Sequence, residues 1–167
     1  GIIYAVVDRD LLIQQRDEGA DLTKVCTSNV TDMSEMFRDS EFNQPIGNWD
    51  VSSVTDMRWM FWGSEFNQPI GSWVTSQVRN MNFMFSAASS FNQDIGHWNT
   101  SQVTDMEGMF YYATSFNQDI TSWCVTQISS EPSLFSSGSA LQAAYKPSWG
   151  TCPSQTPPPP PNPPPQP

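Results

Sequence analysis

Side chains that commonly carry out chemistry are scarce in this chain. His97 is the only histidine among the 167 residues, and no cysteine or serine stands at a spacing that indicates a catalytic partner. It directly precedes Trp98, which belongs to an apolar pattern described below. We therefore expect no catalytic residues, no cofactor and no enzymatic activity.

Two recurring groups of side chains could bind a metal ion. Asp32, Asp56 and Asp105 share one repeat position that could hold calcium, but Asn80 interrupts the row and helix N-termini also favour acids. The eight methionines come in pairs that could bind a soft metal, yet their spacing places them on an apolar face. We favour the structural interpretation of both groups and expect no metal site.

The three cysteines predict one disulfide. Cys26 and Cys124 hold the same repeat position four repeats apart, roughly 19 Å at a strand spacing of about 4.8 Å, beyond the ~7 Å that a disulfide allows between Cα atoms. Cys152 lies in a C-terminal segment that must fold back over the last repeat, so we predict a Cys124–Cys152 bridge and an oxidising, extracytoplasmic compartment. Cys26 is left over as a buried small residue, which we favour, or as an intermolecular bridge.

The charge of the chain limits its partners. Seventeen acidic and seven basic residues give a net charge of −10, too few cations to neutralise phosphates in numbers, so we expect neither nucleic acid nor an anionic membrane surface as a partner. The longest apolar run, residues 2–7, is far shorter than the roughly 20 residues that span a bilayer, so we expect a soluble chain without membrane insertion. We expect any signal peptide to be removed or to lie outside this sequence.

An internal repeat with a period of 24 or 25 residues occupies most of the chain. It reads VTDMSEMF at Val30, VTDMRWMF at Val54, VRNMNFMF at Val78 and VTDMEGMF at Val103, with a degraded copy, ISSEPSLF, at Ile128. Each copy leads through FNQP or FNQD to an Ile and a Trp, and the Asn of FNQ is interpreted as a structural ladder. A period of this length is typical of units that stack on their neighbours as a solenoid.

Each repeat is predicted to hold one short helix and one short strand. In the first repeat, Met33, Met36 and Phe37 share one helix face, and apolar and polar residues alternate around residues 49–52. The fold class is thus an α/β repeat solenoid, leucine-rich-repeat-like, with one short parallel strand and one short helix per coil and about five coils. We assign residues 1–24 to an N-terminal cap of strand plus helix, with the strand over residues 2–7 and the helix over residues 9–18 after Asp8 as its N-cap. Residues 25–135 are assigned to the solenoid, 136–152 to a C-terminal cap with the disulfide, and 153–167 to a proline-rich tail.

Aromatic residues outside the core pattern recur at matched repeat positions on the predicted helical side. They are Trp59, Trp62, Phe83, Tyr111 and Tyr112, here called the aromatic strip. We predict that the strip is exposed and serves as an interface or ligand platform. The alternative is that these are ordinary scattered surface aromatics.

The tail is predicted to form a polyproline II helix of roughly 45 Å at ~3.1 Å per residue. Eight of its ten prolines form its central block, namely Pro157, Pro158, Pro159, Pro160, Pro161, Pro163, Pro164 and Pro165. One interpretation is a linker or wall spacer. Because polyproline helices dock on aromatic-lined grooves, the strip is a candidate receptor. We favour docking on a neighbouring copy, since a cap lies between the tail and its own strip, and such head-to-tail contacts propagate as fibres unless they close into rings.

The repeat resembles the BspA-type leucine-rich-repeat surface proteins, which share VTDM-x-x-MF and FNQDI-x-x-W. The likeness covers residues 4–153, including YAVVDRDLL, GADLTKV, WCV at Trp123 and WGTCP at Trp149, although Pro45 and Pro69 replace the more usual Asp of FNQD. It implies a secreted or surface-anchored solenoid used in adhesion or protein contact, without catalytic residues. The tail, with Thr156 before its prolines, resembles glycosylated extensin-type segments.

These observations lead to two functional hypotheses. The leading one is a non-enzymatic extracellular structural protein that self-assembles into a surface fibre through the tail and the strip. The alternative is a surface adhesin or recognition module that binds a host protein or glycan. Sequons at Asn29 and Asn99, together with Thr156, are candidate glycosylation sites in either case.

Overall fold

The computed structural model describes residues 5–153. Its regular elements are β1 (Ala5–Val6), α1 (Arg9–Asp17), a 3-10 helix (Leu22–Lys24), β2 (Val25–Cys26) and a second 3-10 helix (Ala143–Tyr145). β1 and β2 pair in parallel. The predicted cap helix is present, with Asp8 as its N-cap, but the helix and strand predicted for each repeat are absent between residues 27 and 142. The predicted strand start at residue 2 and the polyproline tail beyond residue 153 lie outside the described residues, and the fold class as a whole stays a prediction.

A turn segment takes the place of the predicted helix in each repeat. It comprises residues 33–39 of the first repeat and its equivalents 57–63, 81–87 and 106–112. Backbone N–H groups of alternate residues donate to the next repeat, as Glu35 does to the Arg58 carbonyl at 3.0 Å and Phe37 to that of Met60 at 2.8 Å. The intervening N–H groups bond within the same repeat: the first, as in Ser34, donates to the side-chain oxygen of the Asp or Asn two residues earlier, and the later ones donate to the carbonyl three residues back. The repeats are thus joined side by side by a parallel hydrogen-bond ladder.

Left-handed backbone positions explain why this segment is not a helix. In the second repeat, Trp59 and Gly63 have φ of 55° and 64°, and the equivalent positions of the first, third and fourth repeats are also positive. A positive φ reverses the local winding, so a right-handed helix cannot continue through it. The i, i+3, i+4 spacing of apolar residues fits both structures, since the turn segment also directs Met57, Met60 and Phe61 into the core.

Side-chain hydrogen bonds take the place of the predicted strand on the Trp side of each repeat. The indole N–H of Trp98 donates to the Ile70 carbonyl of the preceding repeat at 3.0 Å, and the core tryptophans of the other repeats make the same bond at 3.0 to 3.1 Å. The buried hydroxyl of Thr100 donates to the carbonyl of Cys124 in the next repeat at 2.9 Å. Tryptophan and threonine therefore do here what backbone amides do in a sheet.

The predicted asparagine ladder is confirmed. The side-chain oxygens of Asn43, Asn67 and Asn92 each accept from the backbone N–H of the equivalent asparagine one repeat later, at 3.0 Å. Asn117 continues the row to the N–H of Gln142 at 3.1 Å. The C-terminal cap therefore begins in register with the repeats.

The core between these ladders consists of stacked, equivalent side chains. All eight methionines are at most 1% exposed, which agrees with their interpretation as core residues. The rings of Phe37, Phe61, Phe85 and Phe110 stack with centroids 5.5 to 5.8 Å apart. Burial of this kind stabilises by about 1.5–3 kcal/mol per large side chain and cannot occur in a single repeat.

The N-terminal end of the backbone ladder is capped by two arginines of α1. The first repeat has carbonyl acceptors but no preceding repeat to supply N–H donors. Arg9 Nη2 donates to the Ser34 carbonyl at 2.7 Å and Arg16 Nη1 to the Met36 carbonyl at 2.6 Å. Arg9 Nε also lies 3.5 Å from Asp32 Oδ2. Burial disfavours the charged form of Asp32, but hydrogen bonds from Ser34 and the charge of Arg9 outweigh it, so the pKa of Asp32 is lowered.

The C-terminal end of the ladder presents donors. Leu134 and Gly138 have the positive φ found at the equivalent positions of the other repeats. Both lie one residue later than the sequence alignment at Phe135 implies, so the fifth copy contains one extra residue. Within the described chain, the outward N–H groups of Leu134, Ser136 and Gly138 have no hydrogen-bond acceptor. Pro132 occupies the first donor position of this row and has no N–H. The ladder therefore has an acceptor end covered by α1 and an open donor end.

Replacing Arg16 by Met should destabilise the protein while keeping the apolar stem. The Met36 carbonyl would lose a charged donor, which corresponds to a loss of about 1–2 kcal/mol. Thermal and urea unfolding would measure the effect. Arg79→Met is the matched control, because the exposed Arg79 side chain makes no hydrogen bond or ion pair within the described residues. An equal loss in both variants would contradict the capping role.

Replacing Trp98 by Phe should remove one of the two donors of the Ile70 carbonyl, leaving only the backbone N–H of Trp73 at 3.1 Å. We expect a loss of about 0.5–1.5 kcal/mol in unfolding free energy. Trp149→Phe is the control, since the indole N–H of Trp149 has no acceptor between residues 5 and 153. If both substitutions lowered the urea midpoint equally, ring size rather than the indole hydrogen bond would account for the loss.

Candidate functional site

The aromatic strip is less exposed than the sequence predicts. Tyr112 is 54% exposed, whereas Trp59, Trp62, Phe83 and Tyr111 are half-buried. They are partly covered because residues of neighbouring repeats pack against them. The strip is therefore a set of rings held in place rather than a row of free side chains.

The side chain of Arg38 packs against both tryptophans of the strip, Trp59 and Trp62. The guanidinium carbon of Arg38 lies 4.9 Å from the ring centroid of Trp59 and 4.8 Å from that of Trp62, within the range of cation–π attraction. The indole N–H of Trp59 donates to Asn82 Oδ1 in the next repeat at 3.1 Å. Together with Phe83, these residues line a cleft of about 190 Å³. Below, the aromatic cleft means Arg38, Trp59, Trp62 and Phe83.

The strip continues from the cleft as a chain of edge-to-face contacts. The Phe83 and Tyr111 rings are 6.5 Å apart at 85°, and the Tyr111 and Tyr112 rings are 4.5 Å apart at 78°. Phe83 lies over Gly108 of the next repeat, where a side chain would overlap its ring. Rings from three successive repeats thus form one connected apolar surface.

Three residues of the strip occupy backbone positions that favour glycine. Trp59, Phe83 and Tyr112 have φ of 55°, 49° and 53°, and equivalent positions in other repeats hold Gly63 and Gly108. A bulky residue in this conformation is strained by about 1–2 kcal/mol. The aromatic side chains at these positions therefore carry a local energetic penalty that glycine would avoid.

Arg38 was not identified from the sequence, although its repeat position gives a signal. Arg38 holds the position of Trp62 one repeat earlier, so the two side chains are neighbours across the ladder. Its charge is shared with Glu35 Oε2 at 3.0 Å and Asp39 Oδ2 at 3.7 Å. The aromatic cleft thus combines ring faces with a partly neutralised cation, which suits a ligand with apolar surface and carbonyl or hydroxyl oxygens.

Other predicted sites lie apart from the strip. Cys124 and Cys152 form a disulfide, the pair that the sequence favours. Cys26 is free and half-buried, and the Ser28 side chain near its thiol lowers the pKa of Cys26. A groove of about 580 Å³ beside the disulfide includes His97 but no member of the strip.

The two sequons differ in their surroundings. Asn29 and Asn99 are both exposed. The side-chain oxygen of Asn99 accepts from the backbone N–H and the hydroxyl of Ser101, at 3.1 and 2.7 Å, whereas Asn29 makes no side-chain hydrogen bond within residues 5–153. Thr156 and the eight tail prolines named above lie outside the described residues.

Two further findings concern ions and membranes. Across the described chain, no three His, Cys, Asp or Glu residues are grouped as they would be to hold a metal ion. No helix between residues 5 and 153 has the length and apolar character to cross a membrane.

Gly108→Ala should disturb the strip as well as the backbone. Alanine at φ 57° is strained by about 1–2 kcal/mol, and its Cβ would also displace the Phe83 ring. Gly19→Ala is the control, because Gly19 has φ of 70° but no atom within 4 Å of the new Cβ. Urea unfolding should show the larger loss for Gly108→Ala, together with chemical-shift changes at Tyr111. Equal losses would mean that Phe83 does not depend on Gly108.

Comparison with known proteins adds one family. Residues 10–89 and 32–149 match the family described as "Mycoplasma protein of unknown function, DUF285", and the two overlapping matches span well over half of the 167 residues. This match is consistent with the resemblance to BspA-type surface proteins. No curated protein and no solved structure matches the chain. The chain therefore belongs to the DUF285 family.

Proposed function

We propose that this protein is a non-enzymatic, extracellular structural protein of the BspA type. In this proposal the stacked repeats form a leucine-rich-repeat-like solenoid that displays the aromatic strip. The strip of one copy binds the proline tail of another, and the repeated contact builds a surface fibre. The partner is thus a second copy of the chain.

The observation that carries the proposal is the connected aromatic strip. Three of its five residues occupy left-handed positions, where glycine would relieve backbone strain. The equivalent positions of other copies hold Glu35, Asp39, Ala87 and Leu134, so the left-handed backbone is general to the repeat, and it is the aromatic side chains that distinguish the strip. Large aromatic side chains contribute much of the energy at binding interfaces, so a connected row of them supports a binding role.

The ends of the ladder favour a lateral contact over end-to-end stacking. An end-to-end contact would place the donor row of Leu134, Ser136 and Gly138 against the carbonyls of the first repeat. Two of those carbonyls are already occupied by Arg9 and Arg16. A fibre formed through the strip and the tail leaves the hydrogen bonding at both ends of the ladder unchanged.

The disulfide supports the extracellular part of the proposal. Cys124 and Cys152 join the C-terminal cap to the last complete repeats. Disulfides persist in oxidising compartments, so the bond suits a secreted or cell-surface protein. A pull on the tail would be transmitted through this bond into the repeats.

Negative-stain electron microscopy with sedimentation velocity would test the proposal. The full-length chain should form fibres at micromolar concentration. A full-length variant with the eight tail prolines replaced by serine should remain monomeric, and so should Trp59→Ala/Trp62→Ala. A variant with Tyr4 and Tyr145 replaced by Phe retains the strip and the tail and serves as the assembly control.

The outcomes separate the two functional hypotheses. Fibres that persist after proline replacement would overturn tail-mediated assembly. Monomers from every chain, with binding of host glycoproteins that depends on Trp59 and Trp62, would instead favour the adhesin or recognition module.

A further inference from the structure

The aromatic residues of one repeat position alternate with small or charged ones. This position holds Arg38, Trp62, Ser86 and Tyr111 in the first four repeats. Ser86 is 1% exposed and does not reach the surface between its neighbours. Trp62 and Tyr111 therefore offer a partner two aromatic contact points, two repeats apart.

The spacing of these contacts matches the period of a polyproline II helix. Bridged parallel backbones lie about 4.8 Å apart, so two repeats advance by about 10 Å. The backbones at Asp56, Asn80 and Asp105 are bridged in this way. A polyproline II helix has three residues per turn and rises ~3.1 Å per residue, so every third residue recurs after about 9 Å.

The proline tail presents the complementary pattern. In the polyproline II helix predicted for the tail, with three residues per turn, its residues would fall into three rows. Two rows contain only proline from residue 157 to residue 164, namely Pro157, Pro160 and Pro163, and Pro158, Pro161 and Pro164. The third row holds Asn162 between Pro159 and Pro165. The two proline rows would form one apolar face, with the third row opposite to it.

Trp62 also offers a donor that the tail can accept. The indole N–H groups of the core tryptophans and of Trp59 all donate within the protein. That of Trp62 has no acceptor in the described part of the chain. Prolines supply backbone carbonyl acceptors but no competing N–H donors. A proline carbonyl is therefore a suitable partner for the Trp62 N–H.

We propose that Trp62 and Tyr111 determine the register in which a second copy's tail binds. Each ring contacts both proline rows, the two contacts lie three residues apart along the tail, and the Trp62 N–H donates to a proline carbonyl. This inference rests on the proposed function and adds the residues that determine specificity. Arg38 is a positioning residue, since it packs on the ring of Trp62. Tyr112, adjacent in sequence, belongs to a different repeat position and lies outside this contact pair.

Titration of a synthetic peptide with the sequence of residues 155–167 would test the inference. The receptor is the full-length chain with its own tail prolines replaced by serine, labelled with ¹⁵N at the tryptophan indoles. We expect the Trp62 indole resonance to shift on binding. Trp62→Phe, which keeps a ring but loses the N–H, and Tyr111→Ala should each weaken binding by about tenfold or more. Val74→Ala, at an exposed position outside the strip, should leave it within about twofold.

Matched peptides would test the register of the prolines. Pro160→Ala/Pro163→Ala and Pro161→Ala/Pro164→Ala each remove two prolines from a contacting row, and each should weaken binding. Pro159→Ala/Pro165→Ala removes two from the opposite row and should bind like the parent, which controls for the loss of polyproline propensity.

The results distinguish this inference from the proposed function. Binding that is equally sensitive to all three peptides, or insensitive to Trp62→Phe and Tyr111→Ala, would overturn the register while leaving tail-mediated assembly in place. If the parent peptide fails to bind the folded receptor at millimolar concentration, both the inference and the proposed assembly fail. Thermal unfolding of each variant verifies that the receptor is folded.

Discussion

The one-directional hydrogen-bond ladder between repeats is the constraint on which the rest of this structure depends. Alternate N–H groups of each turn segment point to the next repeat, and the others are satisfied within the repeat. This arrangement requires a left-handed residue at fixed positions, because the chain must reverse its winding between one donor and the next. The same positions direct side chains outward, which is where Trp59 and Phe83 lie. The placement of three strip residues, Trp59, Phe83 and Tyr112, thus follows from the ladder's backbone geometry.

The opposite side of each repeat is held by side chains, and this explains the composition of the sequence. Core residues such as Trp98 and Thr100 combine a buried body with a polar group that reaches a carbonyl in a neighbouring repeat. On the surface, asparagine side-chain oxygens accept from the backbone N–H groups of the next repeat's FNQ turn. The protein is joined across its repeats with few extended strands because buried carbonyls need donors of any kind, not specifically backbone ones.

The sequence predicts well what depends on periodicity. The repeat, the buried methionines, the asparagine ladder, the Asp8 N-cap and the Cys124–Cys152 pair could all be read from residue types and spacing. The predicted helix was not found because apolar residues at i, i+3 and i+4 also suit a chain of turns, and only the carbonyls of the next repeat decide between them. The half-burial of the strip and the role of Arg38 depend on contacts between repeats. The extra residue before Pro132 is not evident from the sequence, because residue type alone aligns Phe135 with Phe110 and so hides it.

The polarity of the ladder also affects how the number of repeats can change during evolution. Each interior repeat receives donors on one side and supplies them on the other, so a duplicated unit of 24 or 25 residues would satisfy its own neighbours wherever it was inserted. The arginines of α1 and the disulfide-bonded C-terminal segment would remain at the two ends and need no compensating substitution. Gain or loss of repeats by unequal recombination is therefore structurally neutral at the termini, and the number of aromatic contacts on the surface can evolve independently of the caps.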